Sequence, residues 1–288
     1  MRCVILLAML VSSRANAVQI KNESNLEAMR RAGRLASECL AWIVEQVEPG
    51  MTTLDIDDLQ MGFARDRGVK PAPLGYRGFP RSICTSVNEV ICHGIPDRNV
   101  TLREGDIVGI DVTLIVEGFH GDTAATIAVG QVSEEVAHLL CVTLQAQRRG
   151  VEAVRPGARL GDIGAAIQST VEPEGFSVVR DFVGHGIGRR FHEDPQVPHY
   201  GESGRGLRLR PGMTFTVEPM INVGVPDVEI LEDGWTAVTG DRQLSAQYEH
   251  TLEVTADGVR ILTVQNDAGD WEPPGGWWPP GFPGAPGA

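Results

Sequence analysis

Apolar residues recur at helical spacing once the chain passes Ser24. In SNLEAMRRAGRLASECLAWIVEQVEPG, Leu26, Met29, Leu40, Ile43 and Val47 share one face, and Pro49-Gly50 ends the run. Ser24 and Glu27 have the spacing of a capping box and place the helix start there. A shorter helix is predicted over about 53–67. The period then drops to two. SICTSVNEVICHGIP and DIVGIDVTLIVEGFHGDTAATIAVG alternate, are rich in β-branched residues, and predict strands. After them the pattern starts again, with a long helix over about 133–154, a short one over about 160–171, and strands through much of 176–264.

The restart is a repeat. An offset of 107 lays VEQVEPGMTTLDI (44–56) on VEAVRPGARLGDI (151–163), and the same offset lays LREGDIVGID (102–111) on LRPGMTFTVE (209–218). This period is far longer than that of solenoid repeats, so it predicts two related α/β halves packed around one central site. The second match sets Asp111 against Glu218, so each half delivers a carboxylate at the equivalent strand end.

Composition narrows the class. With 288 residues, 42% of them hydrophobic, the chain can bury a large core. A net charge of -13 argues against wholesale binding to nucleic acid or to an anionic membrane, while leaving room for local basic patches. The cysteines Cys3, Cys39, Cys84, Cys92 and Cys141 are odd in number and form no CxxC pair, which suggests reduced thiols without a structural zinc knot.

The two ends differ from the rest. MRCVILLAMLVSSRANA (1–17) has the basic start, apolar run and Ala15-Asn16-Ala17 of a signal peptide, but the run is short and Arg14 carries a charge where such peptides have none. Translation starting at Val18, read as Met, is the other explanation of this extension. No segment is long enough to span a bilayer. EPPGGWWPPGFPGAPGA has no apolar period, so 266–288 is expected to be a disordered tail, a solvated appendage in preference to one that Trp277 and Trp278 anchor to a partner or to the domain surface. The domain proper is then 18–265.

Chemistry concentrates on a few polar residues in apolar surroundings. Glu117-Gly118 suits a two-residue hairpin turn; if Val116 pairs with Phe119, Asp122 lies opposite Thr113 and on the face of Asp111. Two carboxylates on one apolar face need a cation or a shared proton, whereas a register slip would turn one of them to water. Glu218 in TFTVEPM and Glu249 in QYEHTLEV are acids in similar strand contexts; singly, each could equally be an edge residue or an ion-pair partner. FVGHGIGRRFHEDP holds His185 and His192 among Gly184, Gly186 and Gly188, to be read as two ligands, one ligand and one catalyst, or a polar turn. It lacks the Lys-Ser/Thr of a phosphate loop. Four acids with one imidazole suit paired Mn, Fe or Co ions and not a structural zinc.

Together, NEVICHGIP, GDIVGIDVTLIVEGFHGDTAAT, GHGIGRRFHEDP, MTFTVEPM and SAQYEHTLEV resemble type I methionine aminopeptidases of the bacterial kind, from about Val18 to about Leu262. The resemblance implies the pita-bread fold, an α/β (α+β) architecture of two pseudo-symmetric halves with an antiparallel sheet and flanking helices around a dinuclear metal site. It implies two divalent ions (Co, Mn or Fe) held by Asp111, Asp122, His185, Glu218 and Glu249. Glu218 is then also the general base, His192 stabilises the tetrahedral intermediate, and His93 contacts the peptide or assists the proton to the leaving amine. Tyr76, Cys84, Phe191 and Trp235 map onto the pocket for the methionine side chain.

The implied reaction is removal of the initiator methionine before a small second residue. The substrate is the N-terminus of a nascent polypeptide, with the ribosome as a further partner, no direct contact with nucleic acid or membrane, and a monomeric cytoplasmic enzyme. A cytoplasmic substrate favours the start at Val18 over a working signal peptide. Only about 33 residues separate His185 from Glu218, which leaves no room for the insertion of type II enzymes. The rival readings are a proline-directed peptidase of the same fold and a non-catalytic binding protein, which would typically have lost ligands.

Overall fold

The first half runs α1 (Glu23–Val44), α2 (Thr53–Arg67), β1 (Lys70–Pro71), β2 (Cys84–Val87), β3 (Val90–Cys92), β4 (Ile107–Val116) and β5 (Phe119–Ala128). The second runs α3 (Glu134–Glu152), α4 (Leu160–Val171), β6 (Ser177–Val178), β7 (Gly184–Gly186), β8 (Glu193–Val197), β9 (Thr214–Val217), β10 (Met220–Asn222), β11 (Val228–Ile230), β12 (Ala237–Thr239), β13 (Ser245–Val254) and β14 (Val259–Ile261). This is a computed structural model that describes residues 18–283 and 285; the signal-like segment 1–17, with Cys3, lies outside the described residues.

The helices follow the apolar periods, with one shift. Asn22, not Ser24, caps α1: its backbone is extended and its side chain accepts the Asn25 N–H at 3.0 Å. Ser24 is already inside the helix, whereas a capping residue must keep the extended backbone that Asn22 has. At α2 the capping box of Thr52 and Asp55 forms, and Gly68 closes the helix at φ 64°.

The repeat is spatial as well as sequential. Gly50 N–H donates to the Leu102 carbonyl at 2.8 Å, and Gly157 N–H to the Leu209 carbonyl at 3.0 Å. Thr53 N–H donates to Val100 and Leu160 N–H to Leu207, while Thr52 faces Thr101 and Arg159 faces Arg208. Every one of these pairs is displaced by the 107 residues of the sequence match. The two halves therefore bring β4 and β9 to corresponding places in one sheet, ordered β1-β4-β5-β13-β9-β7-β8 along its main path. The β4–β5 hairpin has the expected register, with Val116 opposite Phe119 and Thr113 opposite Asp122, and its turn residues Glu117 and Gly118 take φ 51° and 78°.

Helices cover one face of this sheet. Ala36, Leu40, Ile56, Val108, Ile110 and Tyr248 join one buried cluster, and Leu140, Ile163, Ile167, Phe215, Val217 and Leu252 another. Helix α1 lies so close to the hairpin that a Cβ on Gly121 would overlap the Ala32 carbonyl, which is why glycine stands there. Among the described residues no helix is long and apolar enough to cross a membrane.

Residues 266–283 differ from the expected disordered tail. Phe282 is 1% exposed, and Trp271, Trp277 and Trp278 pack on the core beside α1 and α3. Trp271 Nε1 donates to Gln147 Oε1 at 3.0 Å, and the Arg148 guanidinium lies over its ring at 4.8 Å. Aromatic burial offsets the ordering entropy, which the prolines have already reduced. Composition alone counted the prolines and glycines and missed the groove that receives the rings.

Candidate metal centre

One row of the sheet carries the acids. Cys84 pairs with Asp111, Asp111 with Ala124, and Ala124 with Glu249. His250 pairs with Val217, so Glu218 stands at the next rung beside Glu249. Neighbours along such a row point to one face, and the small Ala124 side chain leaves space between carboxylates on either side. Asp122 joins diagonally, two residues before Ala124, and takes the Thr113 hydroxyl at 2.7 Å.

His185 reaches this row from β7. Its Nδ1 donates to the Gly186 carbonyl at 3.1 Å, since a carbonyl can only accept, which leaves the Nε2 lone pair free. Nε2 lies 3.6 Å from Asp122 Oδ2 and 3.7 Å from Glu218 Oε1. Ligand atoms of Asp122, His185 and Glu249 all fall within 4.8 Å of one another. Asp111 and Glu218 flank this triad. All five predicted ligands are thus brought to one place.

The electrostatics favour a cation, or failing that bound protons. Burial raises Asp111 to about 7 and Glu218 to about 8, and it pushes Asp122 and Glu249 well above the usual carboxylate range, with their acidic neighbours adding to the effect. Among the described residues no Lys or Arg forms an ion pair with any of the four. Glu249 Oε1 is buried without a hydrogen-bond partner. Burial holds His185 down at about 4, so it is a neutral donor of a lone pair. A set of carboxylate oxygens plus one imidazole nitrogen, with an orphaned oxygen among them, fits divalent ions of hard or borderline character.

Two aromatic walls flank the row. On one side the His192 ring lies 4.1 Å from that of His185 and 4.4 Å from Phe191, and Tyr76 Oη is 2.9 Å from His192 Nδ1. Tyr76 and Phe191 are themselves 5.0 Å apart. On the other, His93 meets Phe182 at 5.4 Å and Trp235 at 6.2 Å, and Trp235 meets Phe79 at 5.2 Å. His93 holds a left-handed φ of 57°, a conformation kept at a non-glycine residue only where its surroundings enforce it. Cys84 ends the carboxylate row beside Asp111, and Cys92 is near enough to raise its thiol further.

Several supporting residues escaped the sequence reading. Thr216 donates to Glu218 Oε1 at 2.6 Å while accepting the backbone N–H of His185 at 2.9 Å, tying one acid to the strand that carries the imidazole. Gln247 Nε2 donates to Glu218 Oε2 at 3.3 Å, and His199 Nε2 accepts the Glu218 N–H at 3.1 Å. Thr216 and Gln247 each stand two residues before a predicted ligand, so strand alternation already put them on the site's face. Nothing in the sequence pointed to His199, Phe79 or Phe182.

The sequence profile described as metallopeptidase family M24 matches residues 27–256. The chain is 55% identical over 249 residues to methionine aminopeptidase A of Synechocystis sp., a match covering 86% of this chain and 98% of that one. Against methionine aminopeptidase of Escherichia coli it is 49% identical over 252 residues, covering 87% and 96%. The crystal structure of methionine aminopeptidase from Rickettsia prowazekii superposes with a TM-score of 0.84 at 51% identity, over 86% of this chain and 100% of that one. Its pita-bread architecture is the one described above. By sequence, by fold and by the acids gathered on one sheet row, the chain belongs to metallopeptidase family M24, among its bacterial methionine aminopeptidases.

Proposed function

We infer that this chain removes the initiator methionine from newly made polypeptides and favours a small second residue. The observation that carries this reading is the row of buried acids facing the free Nε2 of His185, in a chain that matches methionine aminopeptidases at 49–55% identity. Asp111, Asp122, His185, Glu218 and Glu249 would hold two divalent ions, with Co, Mn and Fe all compatible with the donor set. Such ions activate water and polarise the scissile carbonyl.

The chain's own groups do the rest. Glu218, held by Thr216 and Gln247, receives the proton of the attacking water; a carboxylate whose proton affinity is raised by burial suits that task. His192 is neutral, its proton affinity lowered by the surrounding protein and by His185. In the tautomer where Nδ1 accepts the Tyr76 hydroxyl, 2.9 Å away, the His192 proton sits on Nε2 and is available to the carbonyl oxygen as charge develops there. His93, on the opposite wall, contacts the peptide amide. Tyr76, Cys84, Phe191 and Trp235 surround the methionine side chain with aromatic and sulfur surface suited to a thioether. This reading assigns catalysis to residues 18–265 of a cytoplasmic monomer that meets its substrate at the ribosome, without binding nucleic acid or membrane directly.

Release of free methionine from Met-Ala-Ser and Met-Lys-Ser by metal-free protein resupplied with Mn, Fe or Co tests the assignment. Metal-dependent cleavage of Met-Ala-Ser alone is expected. Cleavage of Ala-Pro peptides instead would identify a proline-directed peptidase, and no cleavage by folded, metal-loaded protein would leave a binding role.

A further inference from the structure

The loop that carries His192 is anchored by an ion pair outside the metal centre. Lys21 Nζ lies 2.6 Å from Glu193 Oε2, and the two side chains are only 5% and 2% exposed. Lys21 sits just ahead of α1, where its backbone N–H donates to the Gly212 carbonyl at 2.8 Å. Glu193 directly follows His192, and β8 places it opposite Gly186, next to His185. Its second oxygen accepts the Arg190 N–H at 3.2 Å.

The loop is shaped around this pair. A Cβ on Gly188 would come within 2.7 Å of Lys21 Cε and 2.9 Å of Glu193 Oε1, so a larger residue there would push the ends of the paired side chains aside. The Gly188 carbonyl in turn accepts both the backbone N–H and the Nδ1–H of His120, each at 2.9 Å. Residues 187–192 are therefore held at both ends by buried polar contacts, while His192 itself is exposed on its open side and otherwise touches Tyr76, His185 and Phe191.

Such a pair is a poor source of stability. Removing two charges from water carries a desolvation cost that their attraction often does no more than offset, and apolar side chains of similar volume often stabilise a fold as well or better. What an ion pair adds is position: a short charge-assisted contact adds geometric specificity as well as attraction. We propose that the Lys21–Glu193 ion pair is a positioning device that sets His192 against His185 and the substrate carbonyl. Lys21 and Glu193 are positioning residues acting through His192, and this rests on the role given to His192 above.

The test uses the full-length, metal-loaded enzyme with Lys21→Met and Glu193→Gln, the latter keeping shape and removing only charge. Each variant is expected to bind the same amount of metal as the parent. On Met-Ala-Ser, kcat should fall by about 10–100-fold, the effect of misplacing a reacting group by about 1 Å, with KM little changed. In a His192→Ala background the same substitutions should cause no further loss, because the group they position is gone. Losses that multiply, or a Glu193→Gln enzyme with parental kcat, would overturn the proposal. If Lys21→Met does not fold, Glu193→Gln decides alone.

A readout independent of turnover separates this idea from the peptidase assignment. The His192 ring should give one sharp NMR signal in the parent and a broadened or split one in Glu193→Gln, with His199 and His250 unchanged. An inactive parent enzyme that still shows this difference would sink the peptidase reading, and with it the task at the substrate carbonyl, while the placing of the His192 ring by the ion pair would stand. Identical His192 signals in parent and variant would sink the positioning.

Discussion

Burial of acids at the metal centre makes the metal-free protein pH-sensitive in a definite direction. Asp111 and Glu218 bind protons more tightly folded than unfolded, up to about 7 and about 8. Their contribution to stability is full below the ordinary carboxylate value of about 4 and is lost as pH rises through those values. His93, His185 and His250, lowered to about 4, work in the opposite sense: their contribution is full above about 6.5 and is lost in acid. From about pH 7 to 8 the histidine contribution is nearly complete and that of the acids is still being lost, so the Tm of chelated protein should fall across that window and recover on adding a divalent ion. Calorimetry with and without metal checks this; a flat Tm would contradict it. Glu249→Gln should be more stable than the parent when both are metal-free at pH 8, and should gain much less from the metal. His192→Ala should keep its metal and lose about 10²–10³-fold in kcat, the usual cost of deleting one donor to a developing oxyanion. Metal analysis beside kinetics distinguishes it from a ligand variant.

Among the elements, the β4–β5 hairpin and α1 are the pair on which the site depends. The hairpin carries Asp111 and Asp122, and α1 presses on its outer side through Gly33 and Gly121. Gly121→Ala would set a methyl group into the Ala32 carbonyl, so the helix must move or the strand must bend. Destabilisation of about 1–3 kcal/mol is expected, measurable by denaturant titration, with metal affinity falling as the strand shifts. This scale was well legible in the sequence. Period 3.6 marked the helices, period 2 and a turn pair marked the hairpin, and its register followed from Val116 and Phe119. The start of α1 was displaced because two polar residues in one turn compete to cap it, and only backbone conformation chooses between Asn22 and Ser24.

For the whole molecule, the C-terminal segment is part of the fold. Phe282 sits in the cluster that includes Leu40 and Ile43, and the Glu272 carbonyl accepts from His250 Nε2 at 2.8 Å. Phe282→Ala should lower stability by about 3–5 kcal/mol, as truncation of a fully buried aromatic does, while kcat on a free peptide stays near parental. Thermal unfolding of the variant reads the first, and peptide hydrolysis the second. A Tm unchanged by the substitution would return the segment to a solvated tail.

The resemblance to methionine aminopeptidases named the five residues gathered at the candidate metal centre, which local chemistry had marked only as candidates; periodicity and an internal repeat were enough to predict the helices, the hairpin and the two halves. Each of these depends on short-range periodicity or on symmetry, and both are written in residue order. Tertiary structure alone decided the rest. Lys21 meets Glu193 across 172 residues, and Trp271 meets Gln147 across 124. Such contacts depend on which surfaces the folded halves present to each other, and spacing along the chain carries no trace of them. The depth of burial that raises the acids' proton affinity arises in the same way, from layers packed over a strand and not from the strand's own residues.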